Sequence, residues 1–195
     1  MKPLAEAVFI GEIVLQSKIA ELAAKRLSAI KDNFDQIEVW SSIQSILVAA
    51  GNVSKILWPS KKYAERGERL RELLKVDDNN ILSDRSLRNH FEHYDDRIED
   101  WFKNQSSAVY SDLAIDPLKS MRRNVPTNHH RAYDPSTQTL TFRGESFDLA
   151  AVLKELQEIC IKCRDFVLRR TGRLRVNSRE EKNGEGKKNI RHKSR

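Results

Sequence analysis

Apolar residues recur at steps of three and four along most of this chain, and that period restricts its fold more than any other feature. It predicts helices with one apolar face each, which must be buried against one another. The first runs from about Leu4 to Ile30, with Val8, Ile13, Leu15, Ile19, Leu22, Leu27 and Ile30 as its stripe. Asn33 followed by Gln36 reads as a capping box for a second helix that stops at Trp58-Pro59. Between Ile43 and Leu57 apolar residues lie on most faces, so this helix should be the most buried. A shorter charged helix, about Lys61 to Lys75, turns Leu70, Leu73 and Leu74 inward and is weakened by Gly67. Ser83 is placed to cap a fourth helix reaching about Lys103, with Leu82 and Leu87 as a hydrophobic staple. Asp148, flanked by Phe147 and Val152, caps a last helix that reaches about Arg170.

The period dissolves between Gln105 and His130, a loop long enough to suggest a function or a partner. The next stretch, Arg131 to Phe142 around the turn Asp134-Pro135-Ser136, reads as a small β-hairpin. The expected fold is therefore all-α: an antiparallel bundle of four long helices and one short one, with a hairpin insertion, about residues 131–143, before the last helix. At 195 residues the chain is one domain that can bury a real core without disulfides or metal. Two cysteines cannot make a secreted disulfide framework. Glu6 and Glu12 interrupt the first apolar run, so neither a signal-peptide core nor a membrane span is expected, and the expected address is cytoplasmic.

The net charge of +7 is unevenly placed. Residues 173–195 hold nine Lys/Arg and three Glu, whereas the first 172 residues are close to neutral. A helical domain over 1–172 and a basic, disordered tail over 173–195 are the expected division. Arg173, Arg175, Arg179, Lys187 and Lys188 are the tail's candidates for a salt-sensitive grip on RNA phosphates.

The residues that carry chemistry lie in Arg88-Asn89-His90-Phe91-Glu92-His93. Leu87, Phe91, Tyr94, Ile98 and Trp101 form the apolar stripe of that helix. Asn89, His93, Asp96 and Asp100 share a polar face, and Arg88, Glu92, Asp95 and Glu99 another. Arg88 and His93 stand five apart, about 140° around the axis, so they meet only if Arg88 reaches round or a second copy supplies one of them. A plainer reading makes Arg88 and Glu92 a surface ion pair and lets His93 pair with Asp96. His90 borders the apolar stripe and is expected to pack there; His90 and His93 alone are too few ligands for a metal.

The Arg-Asn-x-x-x-His pattern on a helical bundle resembles the R-x-x-x-x-H signature of the HEPN superfamily. That resemblance implies a small, usually dimeric helical bundle, and in many members a metal-independent ribonuclease. It implies catalytic roles for Arg88 and His93, with Asn89 as an assisting polar residue, and a cleft shared by two copies. It also implies a toxin or defence effector, with an antitoxin or another protein as partner. Some such domains are inactive and serve as modules that bind RNA or protein, which is the alternative. The residue types suit the chemistry. Attack by the 2′-hydroxyl of RNA on the adjacent phosphorus needs a proton carrier, and an imidazole, ordinarily titrating near about pH 6.5, is one. A guanidinium matches the charge and geometry of the phosphorane. Acidic crowding by Glu92, Asp95, Asp96, Glu99 and Asp100 favours the non-catalytic alternative, because it repels RNA.

Cys160 and Cys163 form a C-x-x-C, but both fall on the apolar stripe that runs from Leu149 to Val167. They are expected to be reduced core residues. No phosphate loop, dinucleotide-binding glycine motif or nucleophile elbow occurs, so no cofactor is expected, and no metal.

Overall fold

The computed structural model of the protein describes residues 1–30, 35–84, 86, 89, 92–104, 110–115 and 129–190, with side chains as far as 170. Helices α1 (Pro3–Ala29), α2 (Gln36–Leu57), α3 (Ala64–Leu74), α4 (Tyr94–Asn104) and α5 (Leu149–Ile190) appear in chain order. Strands β1 (Ala114–Ile115), β2 (Arg131–Asp134), β3 (Thr139–Phe142) and β4 (Glu145–Asp148) fall between α4 and α5.

The all-α expectation is corrected here. The predicted hairpin is present as β2 and β3, but it is the middle of a four-stranded mixed sheet in the order β1-β2-β3-β4. β1 pairs with β2 in parallel, and β2–β3 and β3–β4 pair antiparallel. Both added strands are too short or too polar to show a period of two. β4 is Glu-Ser-Phe-Asp, and what makes it a strand is the turn before it. Arg143 and Gly144 both take positive φ, 50° and 85°, in a two-residue connection between paired Phe142 and Glu145. Turns with both central φ positive match the twist of antiparallel strands and force tight pairing.

α2 is the central element, packed against α1, α3 and α5. It is capped by Asp35, whose carboxylate accepts from the backbone N–H of Ile37 at 2.9 Å and Glu38 at 3.2 Å. The Asn33 of the expected capping box lies outside the described residues. One apolar cluster joins Ile10 and Ile13 of α1, Val53 and Leu57 of α2, Leu70 of α3 and Leu156 and Ile159 of α5. A second joins Val39, Ile43 and Leu47 of α2 to Tyr133, Leu140 and Leu149 and seats the sheet.

Four local expectations change. Gly67 is a requirement of close approach: a Cβ there would lie 2.5 Å from Pro59 Cδ and 2.6 Å from the Leu57 carbonyl oxygen. Ser83, expected to cap the fourth helix, lies instead inside a 3-10 turn, Ile81–Ser83, that Asn80 caps, its side chain accepting from the Leu82 N–H at 2.9 Å. The stripe read along α1 divides between two opposite faces: Ile13 is buried, while Val8, Leu15, Ile19 and Leu22 face outward. The last helix also runs past Arg170, its backbone continuing through the basic segment to Ile190. That stretch has no apolar stripe, but it is rich in Lys, Arg and Glu, which extend an existing helix at little cost.

Candidate functional site

His93 stands immediately before α4, whose two ends are fixed to different parts of the body. At the near end Lys55 of α2 pairs with Glu92. At the far end Trp101 is buried edge-on against Phe102 and Tyr110, with ring centroids 5.1 and 5.0 Å away. Tyr110 in turn meets His130, which lies edge-on to Phe142 of β3 at 5.1 Å. Asp100 faces Arg143 of the β3–β4 turn at 3.8 Å. The aromatic chain ties the far end of α4 to the end of the sheet.

The His93 N–H donates to the Asn89 carbonyl at 3.1 Å, and the Arg97 N–H to that of His93 at 3.2 Å. Those two bonds are one helical turn apiece, so Asn89 and His93 stand one above the other on a single face, as the spacing predicts. His93 Nδ1 is 3.7 Å from Asp96 Oδ2, and the imidazole is 61% exposed. An imidazole so placed is open to a substrate on its other nitrogen and has a carboxylate behind it. Arg88 and His90 lie outside the described residues. Glu92, expected to pair with Arg88, is engaged by Lys55 of a neighbouring helix. The surround is acidic, as the sequence suggests: Asp95, Asp96 and Glu99 are exposed beside His93, with Lys103 3.1 Å from Glu99.

A second polar cluster has no counterpart in the sequence reading. Arg131 grips Asp112 with two donors, Nε to Oδ1 at 2.9 Å and Nη2 to Oδ2 at 2.6 Å. The Tyr110 hydroxyl donates to the same carboxylate at 3.3 Å. Burial pushes the Asp112 carboxyl up, but the hydrogen bonds and charge of Arg131 outweigh it and hold the carboxyl below its ordinary value. Burial, followed by the Asp112 charge, raises Tyr110. Beside it the Ser111 hydroxyl and His129 Nδ1 share a 2.9 Å hydrogen bond, and the His130 N–H donates to the Ser111 carbonyl at 2.8 Å. Asp112 and Arg131 are 19 residues apart and meet only through the parallel β1–β2 pairing, so no local pattern could have joined them. The bidentate grip uses the guanidinium fork fully, which makes the cluster a clasp between β1 and β2.

A cavity of about 260 Å³ lies between α2, β4 and the start of α5, lined among others by Leu47, Ser54, Leu82, Asp84, Phe147 and Val152. Its apolar walls and acidic rim suit neither phosphate nor ribose. Cys160 and Cys163 are buried on the core face of α5, as expected, and burial pushes the Cys163 thiol up to about 12. Thiolate is the reactive form, so the native protein should resist iodoacetamide near neutral pH and lose that resistance in denaturant. Stoichiometric labelling of Cys163 in the folded protein, read by mass spectrometry, would contradict the placement of the α5 core face.

Among the described residues no group of three or more His, Cys, Asp or Glu side chains is disposed to hold a metal, and no helix is long and apolar enough to cross a membrane. The backbone of α5 carries Arg173, Arg175, Arg179, Lys187 and Lys188 beyond the body of the fold. No family model matches the chain, and no curated protein and no solved structure is found to be similar to it.

Proposed function

We propose that the protein is a metal-independent endoribonuclease of the HEPN type, acting on RNA through His93, Arg88 and Asn89. The observation that carries the reading is His93 itself: an exposed imidazole one turn after Asn89, with Asp96 at its back. In this reading His93 moves the 2′-hydroxyl proton, Arg88 meets the charge on the phosphorane and Asn89 orients one or the other. RNA is the substrate, a second copy of the chain is a partner, and an antitoxin-like protein is a further one. Purified protein incubated with single-stranded and structured RNA in EDTA tests it. Cleavage should yield 2′,3′-cyclic phosphate ends and leave DNA intact, because DNA lacks the nucleophile.

The acidic side chains around His93 favour a second reading, a non-catalytic module that binds RNA or a protein. In both, Arg173, Arg175, Arg179, Lys187 and Lys188 supply phosphate contacts. Removing residues after 172 should leave thermal stability nearly unchanged and flatten the salt dependence of RNA affinity, since fewer counterions are released. An unchanged slope in a filter-binding titration would remove the basic segment from the RNA interface.

A further inference from the structure

α1 is apolar on two opposite faces, and the described residues cover only one of them. Ile10, Ile13, Ala20 and Ala23 are buried against the body. On the other side Leu4, Val8, Leu15, Ile19 and Leu22 are 77%, 62%, 51%, 40% and 55% exposed. At 3.6 residues per turn these five positions fall within an arc of about 60°, nearly opposite the centre of the buried face. Scattered exposed leucines are ordinary, but five aligned along one helix form a contiguous stripe, and such stripes mark interaction surfaces. A helix apolar on both faces is normally buried on both.

We propose that this stripe is where a second copy of the chain docks, α1 against α1 in antiparallel orientation about a two-fold axis. The pattern is close to a palindrome. With Gly11 included, the stripe occupies positions 4, 8, 11, 15, 19 and 22, so about a centre near residue 13 Leu4 faces Leu22, Val8 faces Ile19, and Gly11 faces Leu15. A self-complementary patch is what a two-fold interface requires, because each residue must meet its reciprocal. Gly11 gives the pairing its shape. A Cβ placed there meets nothing within 4 Å in its own chain, so the glycine answers no need inside the monomer. It leaves a gap in the stripe opposite which the partner copy brings Leu15. The stripe is about 27 Å long and a helix about 10–12 Å wide, a footprint of about 300 Å² per copy, below the roughly 800 Å² per partner of a standard stable interface. A reversible, concentration-dependent dimer follows. The inference names a surface for the second copy but does not rest on the nuclease reading.

Sedimentation equilibrium of the full chain over a concentration series is the test. Wild-type protein should pass from monomer to dimer, and His93→Ala should behave identically whatever it does to RNA. Leu15→Glu, at an exposed position, should keep the wild-type circular dichroism and remain monomeric throughout. Gly11→Leu is the sharper variant. It makes the stripe more apolar and α1 a better helix, yet it should raise the dimer dissociation constant about tenfold or more by overfilling the site of Leu15. A Gly11→Leu dimer as tight as wild type would overturn the pairing. Wild-type protein that stays monomeric throughout would overturn the dimer. Co-sedimentation of that monomer with anionic phospholipid vesicles, lost in Leu15→Glu, would assign the stripe to a membrane surface instead.

Discussion

His93→Ala should lower RNA cleavage by about 100- to 10,000-fold, the usual loss when a positioned proton carrier is removed. The fold should not change. The side chain is exposed and has Asp96 at 3.7 Å as its charged neighbour. An exposed pair of that kind contributes little to stability because solvent screens it. The circular dichroism and melting temperature of the variant should therefore match wild type, which separates lost chemistry from lost structure. Arg88→Ala should lose activity on a similar scale, since it removes the only strong positive charge of the motif. Asp96→Asn divides the roles further: it keeps the imidazole but weakens the group behind it, so it should reduce the rate less than His93→Ala. EDTA should have no effect on any of these proteins. A His93→Ala protein that cleaves RNA at the wild-type rate would reject the site. A wild type that binds RNA and cuts none of a broad panel would select the binding module, in which the acidic face beside His93 contacts a protein and the basic end of α5 contacts RNA.

The helices were legible because their signal is local. Period, caps and a proline located α2 and α3 to within a few residues, and Asp148 caps α5 where expected, accepting from the Ala151 N–H at 2.9 Å. The sheet was half legible. β3 alternates and is joined to β2 by a recognisable turn, whereas β1 is two residues long and exists only through its partner. β4 is held by backbone geometry at Arg143 and Gly144, where a positive-φ arginine has no sequence signature. The face of α1 was misjudged for a related reason: periodicity reports where apolar residues line up, not which line the chain itself covers. When two lines run along one helix, only the tertiary partners decide, and α2 and α5 take the one with Ile10 and Ile13. The same limit applies to the candidate site. Spacing alone put Asn89 and His93 on one face. The anchoring of α4 by Trp101, Tyr110, His130 and Phe142 is a chain of three ring contacts, the longest joining residues 20 positions apart.

Leu156→Ala should destabilise the protein by roughly 2–5 kcal/mol, the range for deleting a buried leucine side chain. Leu156 is 1% exposed and sits in the cluster where α1, α2 and α5 meet, together with Ile13, Val53 and Ile159. Truncation removes the transfer free energy of three carbon atoms and leaves a gap whose walls are helix backbones, which close it only in part. For a domain of this size a loss of that order lowers the melting temperature by on the order of 10 °C. Leu168 on the same helix is the internal control. It is 69% exposed, so Leu168→Ala should stay within about 0.5 kcal/mol of wild type. The two substitutions delete the same atoms from the same helix and differ only in what surrounds them. Chemical denaturation of both, with equal m-values, measures that difference directly. Equal and small effects would mean that α5 does not present its Leu149, Val152, Leu156, Ile159 and Cys163 line to the core. The seating of the sheet through Leu149, and with it the position of α4 and His93, would then have to be redrawn.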